Sequence, residues 1–257
     1  EAGIKQWNDA IASASGPWDV ACPPHLNSFF LNAKQKCDDA ALSLNHSLRT
    51  HRAEDLQSWV NLLLEGKLEQ AQALMANLLE QGYPIYLTGQ LDAAKKHVTY
   101  RYKGCAEKRY GILASSRANN LSKYGLKNRY EDTKSTDIGA WYLDEPTTSL
   151  SCCKLQSVAT EFMCQGLEID FSLVAWGDDL YWGSRTSSWQ SKVTNKKAKN
   201  YYQLRLNSYR VLLTRGRDGM LIYVPDEVSM HTTRKALILA GAVPLERAAG
   251  FNNVVWS

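Results

Sequence analysis

Two arginines, Arg215 and Arg217, flank Gly216 just past a run, Asn207 to Leu213, in which Tyr209, Leu212 and Leu213 fall at helical spacing. The buried-type run Met220-Leu221-Ile222-Tyr223-Val224 follows almost at once. Guanidinium groups at such a corner have two chemical uses. They close the carbonyl end of a helix, where cations are favoured, or, standing beside the active, carboxyl end of a parallel sheet, they clamp phosphate through paired N–H donors. A second polar corner, Thr160 to Asp170, lies between the apolar runs Ser157-Val158-Ala159 and Phe171 to Trp176. Its Gly166-Leu167-Glu168, expected to open a short helix, brings backbone N–H groups and one carboxylate to a place where a ligand can meet them. Taken alone, it reads first as a plain strand–loop–helix corner.

These corners need strands to position them. Apolar runs recur at Pro84-Ile85-Tyr86-Leu87, Tyr110 to Ala114, Ser157 to Ala159, Phe171 to Trp176 and Met220 to Val224, with helical patterns between most of them. Continuous apolar strands alternating with helices predict an α/β three-layer sandwich with a mainly parallel sheet, because each crossover lays a helix over one face. Functional loops of such sheets lie at the carboxyl ends of the strands, so the residues just after the five runs are the first to inspect. Helices are expected over 3–14 and 29–36, then over two amphipathic stretches, one burying Leu56, Trp59, Val60 and Leu63 and ending at Gly66, the other running from Leu68 to Gly82. A strand-like alternation covers 41–45. The polar stretches 127–155 and 184–200 read as surface excursions from a single domain, 1–257, that opens with a lead-in segment, 1–40.

Composition excludes little. Apolar residues make up 44% and the formal charge is +4, so a core is assured and a strongly anionic partner is not demanded. Six cysteines form no C-x-x-C pair, and neighbours Cys152 and Cys153 cannot bridge without strain, which predicts reduced thiols and a cytoplasmic protein. The histidines match no zinc spacing, so no metal site is expected. No run approaches the ~20 apolar residues that cross a bilayer.

Gln165-Gly166-Leu167-Glu168 resembles motif V of superfamily 1 helicases, and Leu212-Leu213-Thr214-Arg215-Gly216-Arg217 resembles motif VI. The order is right and strands stand where that family has them. The wording of Ala159 to Glu168, Trp176-Gly177-Asp178-Asp179-Leu180 and Tyr209 to Gly219 is similar to the bacterial helicase domain grouped with Schlafen group 3. Ser47 to Glu54 resembles motif IV, and Gly111 to Ala118 the following strand with its Ser-Arg loop, so the likeness covers nearly the whole chain.

The resemblance implies a second, RecA-like lobe of a P-loop NTPase type that lacks the P-loop itself. It places Glu1-Ala2-Gly3 just past motif III, where a first lobe hands over to the second. No G-x-x-x-x-G-K-[ST] occurs; Gly66-Lys67 is followed by Leu68. Ala140 to Glu145 imitates a Walker B strand, but Pro146 follows at once, and it is read as a surface loop. ATP and Mg2+ would then bind in the intact protein, Mg2+ on the N-terminal lobe of the same polypeptide, and this chain alone would not hydrolyse ATP. By the same likeness Arg215 is the arginine finger, Arg49 a second γ-phosphate contact, and Gln165, Gly166 and Glu168 bind nucleotide, with Glu168 on the ribose; Arg217 joins this nucleotide-binding set on phosphate or supports the neighbouring carboxylates. Ser115, Arg117, Thr160 and Glu161 fall nearer single-stranded DNA or RNA. Lys192, Lys196, Lys197 and Lys199 form either an electrostatic lure or a solvated charge run. Trp176, Trp182 and Trp189 either stack on bases or fill the core. Two other readings stay open: a regulatory NTPase-like module that unwinds nothing, and a nucleic-acid-binding domain without nucleotide response.

Overall fold

The computed structural model describes residues 2–39, 42, 51–192 and 200–248, and the chain divides into two units, Glu1–Thr50 and His51–Ser257. In the first unit, helix α1 (Ala2–Ser13) is followed by strand β1 (Asp19–Cys22), a 3-10 turn over Pro24–Phe29, and strand β2 (Gln35–Asp38). The two strands pair in parallel with Asp19 opposite Gln35. The helix expected over 29–36 is therefore absent: ladder bonds to β1 outweigh a helical spacing that has no core to face. Of the strand expected over 41–45, only Leu42 lies among the described residues.

The second unit opens with α2 (His51–Leu64), whose Leu56, Trp59, Val60, Leu63 and Leu64 are buried. The next amphipathic stretch is not one helix but two, α3 (Leu68–Ala73) and α4 (Met75–Glu80), parted at Leu74. Then come β3 (Ile85–Thr88), α5 (Leu91–Arg101), β4 (Tyr110–Ala114), the short helices α6 (Tyr130–Thr133) and α7 (Ile138–Leu143), β5 (Val158–Thr160) and β6 (Phe171–Ala175). A hairpin follows, β7 (Leu180–Gly183) with β8 (Ser188–Ser191), then α8 (Tyr201–Leu213), β9 (Met220–Tyr223), α9 (His231–Leu239) and β10 (Val243–Pro244).

All five apolar runs become neighbours in one sheet, ordered β10-β3-β9-β6-β4-β5, and every pairing in it is parallel. The sixth strand, β10, escapes the sequence pattern because it has two residues, one of them Pro244; lacking an N–H, proline is tolerated at such an edge. Side chains alternate across a strand. Phe171 meets Tyr102 at 6.2 Å and His97 of α5 at 6.5 Å between ring centroids, whereas Trp176, of opposite parity, lies 4.4 Å from Tyr209 of α8. Helices thus cover both faces, giving the three layers.

Neither excursion is only surface. Trp141 of α7 and Cys152 are fully buried, so the Walker-B-like stretch is a core-packed helix and not a loop. The 184–200 stretch begins as the second half of the hairpin, and Trp189 stacks on Trp176 at 5.0 Å while its Nε1 donates to the Leu63 carbonyl at 2.6 Å. Trp182 stands edge-on to Trp189 at 5.1 Å. These indoles fill the core.

Candidate functional site

The two polar corners are stitched together. Ile169 N–H donates to the Arg215 carbonyl and Arg217 N–H donates to the Ile169 carbonyl, both at 2.9 Å, and Asp218 N–H reaches the Asp170 carbonyl at 2.7 Å. Gly216 forms a parallel bridge with Ile169. A Cβ on Gly216 would lie 2.4 Å from the Gly219 carbonyl oxygen, so only glycine allows this approach. Gly166, at φ +79°, turns the loop where no atom lies within 4 Å of a Cβ position, leaving open space above Gln165-Gly166.

Arg215 is partly buried. Its Nε donates to the Val211 carbonyl at 2.9 Å, closing α8, and Nη1 donates to the carbonyls of Leu167 at 3.2 Å and Cys164 at 3.5 Å. The favourable field of a helix C-terminus holds it there. Arg217 is half exposed, with Nη2 3.4 Å from Asp170 Oδ1. Asp170 also accepts from Lys108 Nζ at 3.1 Å and from Arg109 N–H at 2.8 Å. Lys108 bridges on to Asp218 at 2.7 Å; that hydrogen bond first, and the one to Asp170 second, raise its pKa above the usual lysine value. Burial pushes the Cys164 thiol up to about 12.

This corner precedes β6 and β9, so it lies at the amino edge of the parallel sheet. The expectation that both arginines stand at the carboxyl edge fails, because that guide holds for loops following strands, whereas α8 returns its C-terminus to the opposite edge. The short helix expected to open at Gly166-Leu167-Glu168 is absent: the segment from Thr160 to Asp170 runs between β5 and β6 without one, carrying the chain from one edge to the other.

Ser115, Arg117, Thr160 and Glu161 do lie at the carboxyl edge, after β4 and β5. There Arg205, near the start of α8, is held between two carboxylates: its Nη1 is 3.1 Å from Asp179 Oδ2 and 3.5 Å from Glu161 Oε1, and it donates to Ser115 Oγ at 2.6 Å. Ser115 Oγ donates to Asp179 Oδ2 at 2.5 Å, and Tyr209 Oη to Asp179 Oδ1 at 2.8 Å. Ser116 and Ser208 hydroxyls donate to Glu161 at 3.0 and 3.2 Å. Burial raises the Asp179 pKa, against the pull of these donors. Ser115, Thr160 and Glu161 are 0%, 3% and 2% exposed. The side chains of Ser115 and Glu161 therefore tie loops to α8 instead of facing solvent, while Arg117 is exposed.

Of the residues expected to meet nucleotide, Glu168, Arg215 and Arg217 lie on or beside the backbone bonds of this corner, whereas Gln165 lines a cleft with Arg117, Glu161 and Arg205 toward the other edge; Arg49 lies outside the described residues. Lys192 pairs with Asp178 at 2.5 Å, and Lys196, Lys197 and Lys199 lie outside the described residues. Lys108, Asp179 and Arg205 were not legible as site residues. Asp178-Asp179 stood in a motif with no role attached, and Arg205 meets its partners across 26 to 90 residues of chain. Among the described residues, no group of His, Cys, Asp or Glu is arranged to hold a metal, and no helix is long and apolar enough to cross a membrane.

The model of one protein family, described as Schlafen group 3, DNA/RNA helicase domain, matches residues 4–226. Among curated proteins nothing matches.

Proposed function

Since this chain belongs to the Schlafen group 3 DNA/RNA helicase domain family, we propose that it is the second lobe of an ATP-driven helicase or translocase, working with a preceding lobe of the same polypeptide. The observation that carries this reading is the stitched corner, where Arg215, Arg217, Gly166 and Glu168 share one open-sided edge of the sheet. Cations at such an edge suit a phosphate whose charge grows as it transfers, and the open space above Gly166 suits close approach of a nucleotide. In this reading Arg215 is the finger, Arg217 supports phosphate or the Asp170–Asp218 carboxylates, Arg49 adds a second phosphate contact and Glu168 takes the ribose. ATP is shared with the other lobe, which also holds Mg2+, and the chain alone turns over no ATP. Single-stranded DNA or RNA runs along the carboxyl edge, with Arg117 toward the phosphates and Ser115, Thr160 and Glu161 setting the loops that meet it.

The test is ATP hydrolysis by the intact protein. An arginine finger is worth roughly 10³ to 10⁵ in rate, so Arg215→Ala drops turnover by that order, far beyond what the lowered melting temperature from losing its three carbonyl bonds accounts for. One observation favours a second reading: the Arg215 guanidinium bonds three protein carbonyls. If it only caps α8, within a regulatory module, Arg215→Ala lowers the melting temperature and leaves turnover intact. Strand displacement measured beside nucleic-acid-stimulated hydrolysis separates unwinding from regulation.

A further inference from the structure

Two large aromatic side chains beside the carboxyl edge are turned outward: Phe162 is 67% exposed and Tyr130 73%. Both line one cleft of about 640 Å³, whose charged residues are Arg117, Arg129, Lys134 and Glu131, three cations against one carboxylate. Phe162 follows directly on buried Glu161, so its backbone is fixed by the bonds that Glu161 makes to Ser116. Tyr130 starts α6, just after Asn128, whose Nδ2 donates to the Ser115 and Ala118 carbonyls at 2.6 and 2.9 Å. Both rings are thus mounted on anchored backbone, yet neither is covered by a described residue to the extent a core ring would be. Arg117 makes no side-chain hydrogen bond or ion pair with a described residue, and Arg129 makes one long contact, to Asn119 at 3.4 Å.

We propose that this cleft is a base-stacking subsite for single-stranded nucleic acid: Phe162 and Tyr130 each offer a face to a base, while Arg117, Arg129 and Lys134 follow the sugar–phosphate chain. This rests on the nucleic-acid reading of the carboxyl edge and deepens it, since it moves recognition from the Ser115–Glu161 loops to rings and cations in front of them. A fixed aromatic face accepts any base, and cations beside it neutralise phosphate, which is the combination that holds a single strand with little sequence preference. The excursion 127–155 then has a purpose: α6 and its C-terminal cap bring Tyr130 and Lys134 into the lining that Arg117 and Phe162 share.

The experiment is fluorescence anisotropy of labelled thymidine and uridine 12-mers, and of an abasic 12-mer, on the intact protein at fixed salt. The wild type binds base-bearing strands more tightly than abasic ones. Phe162→Ala and Tyr130→Ala each weaken base-bearing binding by roughly 5- to 100-fold and the abasic binding little; Phe162→Trp and Tyr130→Phe restore it. Arg129→Gln and Lys134→Gln weaken both strands alike, and each reduces the salt slope by about 0.7. Because both rings are exposed, the alanine variants leave the fold intact, which their melting temperatures check. If the wild type prefers bases but neither alanine variant changes that preference, or if it binds abasic and base-bearing strands equally, the strand lies elsewhere and the subsite is refuted while the helicase reading stands. A wild type that binds none of the three strands refutes both.

Discussion

Replacing Arg205 with methionine tests whether the buried network sets the carboxyl edge. The side chain is 6% exposed and faces Glu161 and Asp179, which are 3% and 0% exposed. Methionine fills most of the volume but leaves two carboxylates without their cation, and breaking a buried pair in this way costs about 3–5 kcal/mol. For a unit of this size about 2–4 °C of melting temperature is lost per kcal/mol, so the variant melts roughly 6–20 °C lower. The deficit also depends on pH. Burial already holds the Asp179 pKa above the usual carboxylate value, and losing Arg205 raises it further. Between the unfolded value, near 3.9, and that raised value, the folded variant binds a proton that the unfolded chain has released. The variant therefore recovers stability as pH falls through the folded pKa. Adding Asp179→Asn to Arg205→Met removes one of the two stranded charges and lifts the melting temperature above that of the single variant. Thermal and urea denaturation followed by circular dichroism at pH 5 and pH 8, on all four members of the cycle, measure it. A shift under about 3 °C for Arg205→Met, equal at both pH values and additive with Asp179→Asn, would refute the network as a structural anchor.

His97 is packed edge-on to Tyr86 at 5.1 Å, and burial first, then Arg101, lowers its pKa to about 4. The unfolded imidazole titrates near 6.5, so its contribution is complete above that value and is lost as pH falls toward 4, up to about 3 kcal/mol in all; His97→Phe removes this part of the acid sensitivity, and an unchanged acid midpoint contradicts it. Because burial pushes Cys164 up to about 12, it stays unalkylated by iodoacetamide at pH 8 until urea unfolds the unit; peptide mass spectrometry showing early Cys164 labelling would contradict its placement.

The sheet was legible because each of β3, β4, β5, β6 and β9 is an apolar run framed by polar turns, and fully buried strands admit nothing else. The edge on which Arg215 falls was misjudged because the corner was weighed by its chemistry and not by its place ahead of β9, and a residue just before a strand of a parallel sheet lies at the amino edge whatever the strand order. The corner formed by Gln165 to Asp170 and Thr214 to Gly216 came from motif wording, and its backbone bonds then appeared in the structure. The Arg205 network did not, because Ser115, Glu161, Asp179 and Arg205 come from four separate elements and no local pattern marks a buried arginine as different from a surface one. Trp141 misled in the other direction: a stretch with the wording of a metal-binding strand packs as a helix, since its tryptophan is buried while the acids beside it are left at the rim.

The segment from Glu161 to Ile169 and the stretch from Arg205 to Arg215, helical as far as Leu213, run side by side and are cross-tied at both ends, by the Glu161–Arg205 contact at one and the Leu167–Arg215 and Ile169–Arg215 bonds at the other. The helical part, Arg205 to Leu213, rises about 12 Å, close to the depth of a five-residue strand. Two struts joined by rungs top and bottom make a closed frame, and such a frame resists shear: a sideways load at one rung is carried to the other before either member bends.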